Sequence, residues 1–329
     1  MVGDTIKDYH SEDLRRITYL MTCKSLEFTS IVFVVMRRLI RIHVWGGFGS
    51  QLNGIALQMF LEEEGRRCIL IFHSSGITER LCEVQNLLRD VKWIQLHDYK
   101  QAKDSTHNHD LRSSSRREST LRLTISFKSI AKLFLQHTRL ILYPNGVHDL
   151  QRIKPWTLGL RGHYSHIQFN NSVYERLLKK LLSTFPDPNP SRLAIHYRHG
   201  DLKNSGKPWV GMKSIERILS QLHFAPSDKL RIFSDSADST VDLVGSRPGL
   251  NWEPVEVSMH IGTILSECIG SEIFVGTTSK ISLWASFFRS TKPVNYQKTW
   301  LPTIIKEEYR RCFGTDTLNS IRWYGESGS

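Results

Sequence analysis

Short runs of apolar and β-branched residues recur along the chain, at residues 39–44, 68–72, 139–143, 193–197, 230–233, 255–257 and 272–275. Runs of this length, bounded by polar or glycine-containing segments, predict buried strands. Between and after them, residues 51–64, 173–182, 212–222, 261–269 and 281–288 carry apolar side chains at helical spacing. That spacing predicts helices with one face on a core. Strand alternating with helix predicts an α/β fold with parallel sheets covered by helices. The strands are too many for one small sheet.

The clearest punctuation is Phe185-Pro186-Asp187-Pro188-Asn189-Pro190. Its prolines stop the preceding helix and stiffen a connector. A chain of 329 residues also exceeds what one hydrophobic core usually serves. We therefore expect an extension over residues 1–35, a first Rossmann-like domain over 36–187 and a second over 188–329. The apolar run at 31–36 follows polar Glu27, Thr29 and Ser30 and is short of the about 20 residues a membrane span needs. It lies far from the start and has no small-residue cleavage site, which argues against a signal peptide; an interfacial helix is the alternative. Residues 101–120, rich in Ser, His and Arg, are expected to form a surface loop.

Composition changes this picture little, and charge changes it more. The formal net charge is +12, which suits an anionic substrate, an acidic membrane face or nucleic acid. The chain has no zinc-finger spacing, no basic zipper and no RNP-like aromatic run, so nucleic acid is not the expected partner. Cys23, Cys68, Cys82, Cys268 and Cys312 are dispersed, with no C-x-x-C pair. That pattern argues against a disulfide framework or a structural zinc site and for a reducing, cytoplasmic setting, with peripheral contact to an anionic membrane as the variant.

In open parallel sheets, ligands bind beyond the carboxyl ends of the strands. Three such loops in the second half are polar. The first reads His196-Tyr197-Arg198-His199-Gly200-Asp201; an arginine at a strand end offers a planar fork of donors to a diphosphate. Asp201 either orients Arg198 or caps the loop, and the bland alternative is an Arg–Asp pair on a turn. The second reads Ser234-Asp235-Ser236-Ala237-Asp238, where a carboxylate can accept from guanine or ribose, or simply cap the next helix. Its aspartates do not make a D-x-D pair, so no metal is expected. The third, Gly276-Thr277-Thr278-Ser279-Lys280, opens onto a predicted helix and combines Thr277, Thr278 and Ser279 hydroxyls with a helix N-terminus, a natural anion seat. Together the three loops describe a nucleotide-diphosphate site.

A fourth loop opens the first domain: Gly46-Gly47-Phe48-Gly49-Ser50-Gln51-Leu52-Asn53. It is neither a Walker A sequence nor G-x-G-x-x-G in register. Gly46, Gly47 and Gly49 allow close backbone approach, while Ser50, Gln51 and Asn53 supply hydrogen bonds toward a diphosphate or sugar. Tight strand-to-helix packing is the alternative use of the same glycines.

With these four loops in this order, residues 36–288 resemble the α-1,2-fucosyltransferase family and its α-1,6- and protein O-fucosyltransferase relatives. Gly46–Gln51 is similar to the family's Gly-Gly-Leu-Gly-Asn-Gln, and His196–Asp201 to its His-x-Arg-Arg-Gly-Asp. Phe233-Ser234-Asp235 is similar to Phe-Ser-Asp-Asp, and Thr277 through Ala285 to Ser-x-Ser-x-x-Ser-x-Trp-Ala. A linking Gly-Tyr-x-Gln-Ser segment is echoed by Gly162-His163-Tyr164-Ser165. Ser50 stands where the family has Asn, and His199 where it has the second Arg. The resemblance implies a GT-B type fold of two Rossmann-like domains with parallel sheets facing across a cleft. It also implies GDP-fucose as donor substrate with no cofactor, a glycan acceptor and inversion at the anomeric carbon. Arg198 inherits the diphosphate-holding role, with Asp201 and His196 as further catalytic candidates and His199 among the donor contacts. A transferase using another nucleotide sugar, or a silent nucleotide- or glycan-binding homologue, is the alternative.

Overall fold

The computed structural model describes residues 39–74, 81–96, 138, 140–142, 150, 153–154, 156–162, 164–186, 191–199, 202, 208–235, 237–253, 255, 259–291 and 298–325. The expected extension at 1–35, the loop at 101–120 and the prolines at 188 and 190 lie outside these residues.

The chain enters the described structure on β1 (Ile40–Trp45), whose Ile40, Ile42 and Val44 are buried on one face. A two-glycine turn leads into α1 (Phe48–Glu63). Gly46 has φ +91°, in the left-handed region that a side chain disfavours. Gly54 lets α1 lie directly on β1: a methyl there would meet Val44 Cγ2 at 2.5 Å. Then come β2 (Cys68–His73), β3 (Trp93–Leu96), β4 (Ile141–Leu142) and β5 (Gly159–Gly162). All pair in parallel, in the order β3-β2-β1-β5-β4. Helix α2 (Asn171–Thr184) follows, begun by the Asn170 side chain, which accepts from the Val173 amide as an N-cap should.

The second sheet is built from β6 (Leu193–Tyr197), β7 (Leu230–Ser234), β8 (Ile273–Gly276), β9 (Lys298–Pro302) and β10 (Ile321–Tyr324). Its order is β10-β9-β8-β6-β7, again wholly parallel. Read from its other edge this is the doubly wound 2-1-3-4-5 arrangement. Its helices are α3 (Met212–Leu219), α4 (Ala237–Gly245), α5 (Ile261–Gly270), α6 (Lys280–Ser290) and α7 (Lys306–Phe313). The fold class is therefore the expected one, α/β with two parallel Rossmann-like sheets.

One expected strand, at 255–257, is corrected in part: residue 255 lies in no strand, and 256–257 lie outside the described residues. The neighbourhood of β7 is extended instead by an isolated parallel bridge between Leu230 and Trp252.

The main core does not stop at the edge of either sheet. Val44, Phe48, Leu52 and Ile55 from the first half share one buried cluster with Leu265, Ile281, Trp284 and Phe287 from the second. Tyr174 of α2 packs on Phe287 of α6 at 4.5 Å between ring centres, and Phe287 stacks on Phe313 of α7 at 4.2 Å. Helix α7 is also tied back to the first half, the Cys312 thiol donating to the Ser165 carbonyl at 2.6 Å and Gln168 Nε2 to the Arg310 carbonyl at 3.3 Å. A smaller cluster around Ile195, Tyr197, Ile215 and Trp300 fills the opposite face of the second sheet. Both α1 and α6 begin at strand carboxyl ends, and those beginnings touch, so the carboxyl edges of the two sheets meet.

Candidate donor-binding site

In the second sheet the chain leaves β6 toward β7 on one side and toward β8 on the other. The topological switch point thus lies between the carboxyl ends of β6 and β8, where doubly wound sheets take their ligands. The loops that meet there are those of Arg198 and of Thr277–Ser279.

Hydrogen bonds fuse these loops into one frame. The Thr277 hydroxyl donates to the His196 carbonyl at 3.0 Å and accepts from the Arg198 amide at 2.9 Å. The Thr277 amide donates to Ser282 Oγ at 3.0 Å. Ser279 is the N-cap of α6, its Oγ accepting from the Ser282 amide at 3.0 Å. Gly276 keeps the turn tight, since a methyl there would meet Ser282 Cβ at 2.7 Å. Tyr324 of β10 braces the loop from outside, donating to the Gly276 carbonyl at 2.8 Å. Thr278 Oγ1 is buried with no hydrogen-bond partner among the described residues.

His196 sits under this frame, with Nδ1 3.1 Å from both Ser279 Oγ and Ser282 Oγ. Burial pushes its imidazole down to about 4, Arg198 pushes the same way, and Asp235 opposes them. The ring is neutral at physiological pH. Beside it the His199 amide donates to Asp235 Oδ1 at 2.8 Å, linking the β6 and β7 loops. The His199 ring lies between Tyr197, at 5.7 Å, and Trp209, at 4.6 Å. Ser234 closes β7 opposite Tyr197 in register. Gly200, Asp201 and Ser236 lie outside the described residues.

The first-half loop meets this site end to end. A methyl on Gly49 would come within 2.7 Å of Lys280 Cβ. The Trp284 indole N–H donates to the Gly49 carbonyl at 2.9 Å, and Lys280 Nζ donates to Ser50 Oγ at 2.9 Å. Gln51 and Asn53 are spent on the loop itself. Gln51 Nε2 donates to the carbonyls of Gly46 and Leu81, its Oε1 accepts from the Glu83 amide, and Asn53 Nδ2 donates to the Gly49 carbonyl. The structure therefore brings Gly46, Gly47, Gly49 and Ser50 to the junction and gives Gln51 and Asn53 a bracing role there.

Sequence reasoning passed over three residues. Lys280 places a cation where two helices start, and neither helix has an acidic residue in its first turn. Two positive helix ends with a lysine between them favour an anion. Glu83 meets part of that demand at α1 by accepting the Phe48 amide. Trp284 is buried and forms the junction itself. The sequence signals for these contacts are the Gly276–Lys280 loop and the motif match of Thr277 through Ala285, which contains Trp284; the contact partners lie too far apart in the chain to be read as a motif.

In the first sheet, the carboxyl ends of β1 and β2 carry an aromatic group. His43 Nδ1 lies 2.8 Å from His73 Nε2, and Trp45 stacks on His73 at 4.2 Å. Tyr164, at φ +53°, donates to the His43 carbonyl at 2.7 Å. Cys68, Cys82, Cys268 and Cys312 are all buried. Desolvation pushes the Cys68 and Cys312 thiols up to about 12 and Cys82 to about 11, so they are unreactive thiols. No group of metal-ligating side chains and no helix long and apolar enough to cross a membrane occurs among the described residues.

In sequence the chain matches no family profile and no curated protein. In structure it is similar to the fucosyltransferase NodZ from Bradyrhizobium, with 12% identity, a TM-score of 0.40, and coverage of 76% of this chain and 93% of that one. It is also similar to the E. coli heptosyltransferase WaaC with ADP, at 9% identity and a TM-score of 0.45, covering 87% and 92% of the two chains. A third similar structure is POFUT1 in complex with GDP, at 11% identity and a TM-score of 0.37, covering 77% and 95%.

Proposed function

We propose that the chain is an inverting glycosyltransferase that moves fucose from GDP-fucose onto a glycan hydroxyl without a metal. One observation carries this reading. The β6, β7 and β8 loops, which present Arg198, Asp235 and the start of α6, are joined in a single hydrogen-bonded frame at the switch point of the second sheet.

In this reading the diphosphate lies over the N-terminus of α6, within reach of Arg198 and Lys280, and the Thr278 hydroxyl gains the partner it otherwise lacks. Asp235 takes the ribose or the guanine edge. As the acceptor hydroxyl attacks the anomeric carbon from the opposite face and passes its proton to water or to Asp201 as the candidate base, the bond to the β-phosphate oxygen breaks and GDP leaves. Negative charge grows on that phosphate, and fixed donors aimed at it lower the barrier without reorganising. The positive charge comes from side chains and helix ends, the role a metal plays in D-x-D transferases. The α-1,2 linkage is inferred from the sequence resemblance, a cytoplasmic setting from the dispersed cysteines, and peripheral contact with anionic membranes from the net positive charge.

Calorimetric titration with GDP, GDP-fucose, UDP and GDP-mannose in EDTA tests the donor. Binding of guanine nucleotides and not UDP is expected; a preference for UDP overturns the assignment. GDP-fucose binding without transfer across an acceptor screen would instead select a silent binder.

A further inference from the structure

The donor frame hangs on His196, and its proton inventory says how. Ser279 Oγ, Ser282 Oγ and His196 Nδ1 form a triangle with edges of 3.0 and 3.1 Å. Each hydroxyl brings one proton, and each oxygen already accepts a backbone N–H, from Ser282 and Thr277 respectively. If Nδ1 keeps its lone pair, Ser279 donates to Ser282 and Ser282 donates to Nδ1, and both hydroxyl protons have acceptors. If Nδ1 carries a proton, it offers no lone pair, and one buried hydroxyl proton is left without an acceptor among the described residues. The network therefore requires the neutral ring protonated on Nε2. It admits no second proton at Nδ1, consistent with an imidazole pushed down to about 4.

We infer that His196 is a positioning residue: its Nδ1 lone pair gathers the Ser279 and Ser282 hydroxyls and thereby sets the Thr277 loop, the Arg198 backbone and the start of α6 around the donor diphosphate. This rests on the donor-site reading above. The path is explicit. Ser282 Oγ holds the Thr277 amide, and Thr277 Oγ1 holds the Arg198 amide and the His196 carbonyl. Loss of the imidazole frees Ser282 to rotate, and the slack passes to Arg198 in two steps. A proton-transferring role would need the ring to reach the acceptor hydroxyl, whereas His196 is buried and its Nδ1 is engaged by the start of α6.

His196→Asn separates the two roles, because its amide oxygen can stand near Nδ1 as an acceptor but cannot carry a proton between substrates. We expect His196→Ala to weaken GDP binding about tenfold or more and His196→Asn to recover to within about threefold of the parent, differences of roughly 1.4 and 0.6 kcal/mol. Transfer should follow binding in both variants. Independently of any ligand, nitrogen NMR of the imidazole should report the Nε2–H form. Hydrogen exchange should show the Arg198 amide protected in the parent and in His196→Asn but exposed in His196→Ala. If His196→Asn binds GDP normally yet loses transfer as fully as His196→Ala, the residue moves a proton and the inference fails. It also fails if His196→Ala leaves Arg198 exchange unchanged, or if the imidazole proves to be protonated on Nδ1. Should the parent bind no GDP, the donor reading falls, while exchange and NMR still decide what His196 does.

Discussion

Arg198 is held through its amide rather than through its side chain alone, so its guanidinium can be removed without unlacing the frame. Arg198→Ala should reduce transfer by about 100- to 1,000-fold, the usual loss when a fixed donor to a developing anion is deleted. Stability should stay within about 0.5 kcal/mol, as for other substitutions away from a core; urea unfolding beside a transfer assay checks both. His196 makes the opposite prediction, one about stability and pH. Its folded pKa of about 4 lies below the ordinary value of 6.5. Between those values the unfolded chain binds the proton more readily, so stability is complete above about pH 6.5 and falls as pH drops toward 4. The size is roughly 3 kcal/mol, from 1.4 kcal/mol per pKa unit. Denaturant midpoints measured from pH 7 to pH 4 should decline less in His196→Asn than in the parent; parallel curves would refute the assignment.

At the level of elements, the junction of α1 with α6 is the feature most exposed to test. Gly49→Ala inserts a methyl 2.7 Å from Lys280 Cβ and 3.2 Å from Lys280 backbone carbon, so the helices must part. A loss of about 1–3 kcal/mol is expected, the range for overpacking a filled site, read as a lowered midpoint in thermal unfolding. Elements differed sharply in how far the sequence revealed them. Strands β2, β6 and β8 are largely apolar runs, β1 alternates apolar with polar residues and β7 is broken only by Arg231 before its closing serine, so all five were legible in the sequence. Strand β5 is Gly-Leu-Arg-Gly, with a single apolar side chain, and holds its place because β1 and β4 flank it. Strand β9 ends in Pro302, and α7 buries only Tyr309 and Cys312 along a highly charged stretch. Neither carries a pattern that local reasoning detects. The donor loops were legible because Arg, Asp and hydroxyl residues follow predicted strands. The bracing done by Gln51, Asn53, Glu83 and Trp284 was not, because each contact depends on how distant loops come together.

Across the molecule, the shared core makes two sheets behave as one unit. Phe48 packs against Phe185 and His260, and the indole of Trp284 touches the aromatic rings of α2 and α7. Domain interfaces within a chain are ordinarily more polar and looser than this. Unfolding should therefore be a single transition by both tryptophan fluorescence and far-ultraviolet dichroism, as two-state behaviour requires. Two separated transitions would show that the halves fold independently. The bond between the Trp284 indole and the Gly49 carbonyl has a consequence for inheritance as well. It joins positions 235 residues apart, and α6 comes close enough to make it because position 49 has no side chain to meet Lys280 and Ile281. The two sites are thus a matched pair, and a substitution at one changes what the other can tolerate. Among relatives, a glycine at 49 and a tryptophan at 284 should be kept or lost together, because a side chain at 49 pushes the start of α6 away and breaks the indole bond. A second half transplanted from another protein of this fold would need to bring its own α1 with it.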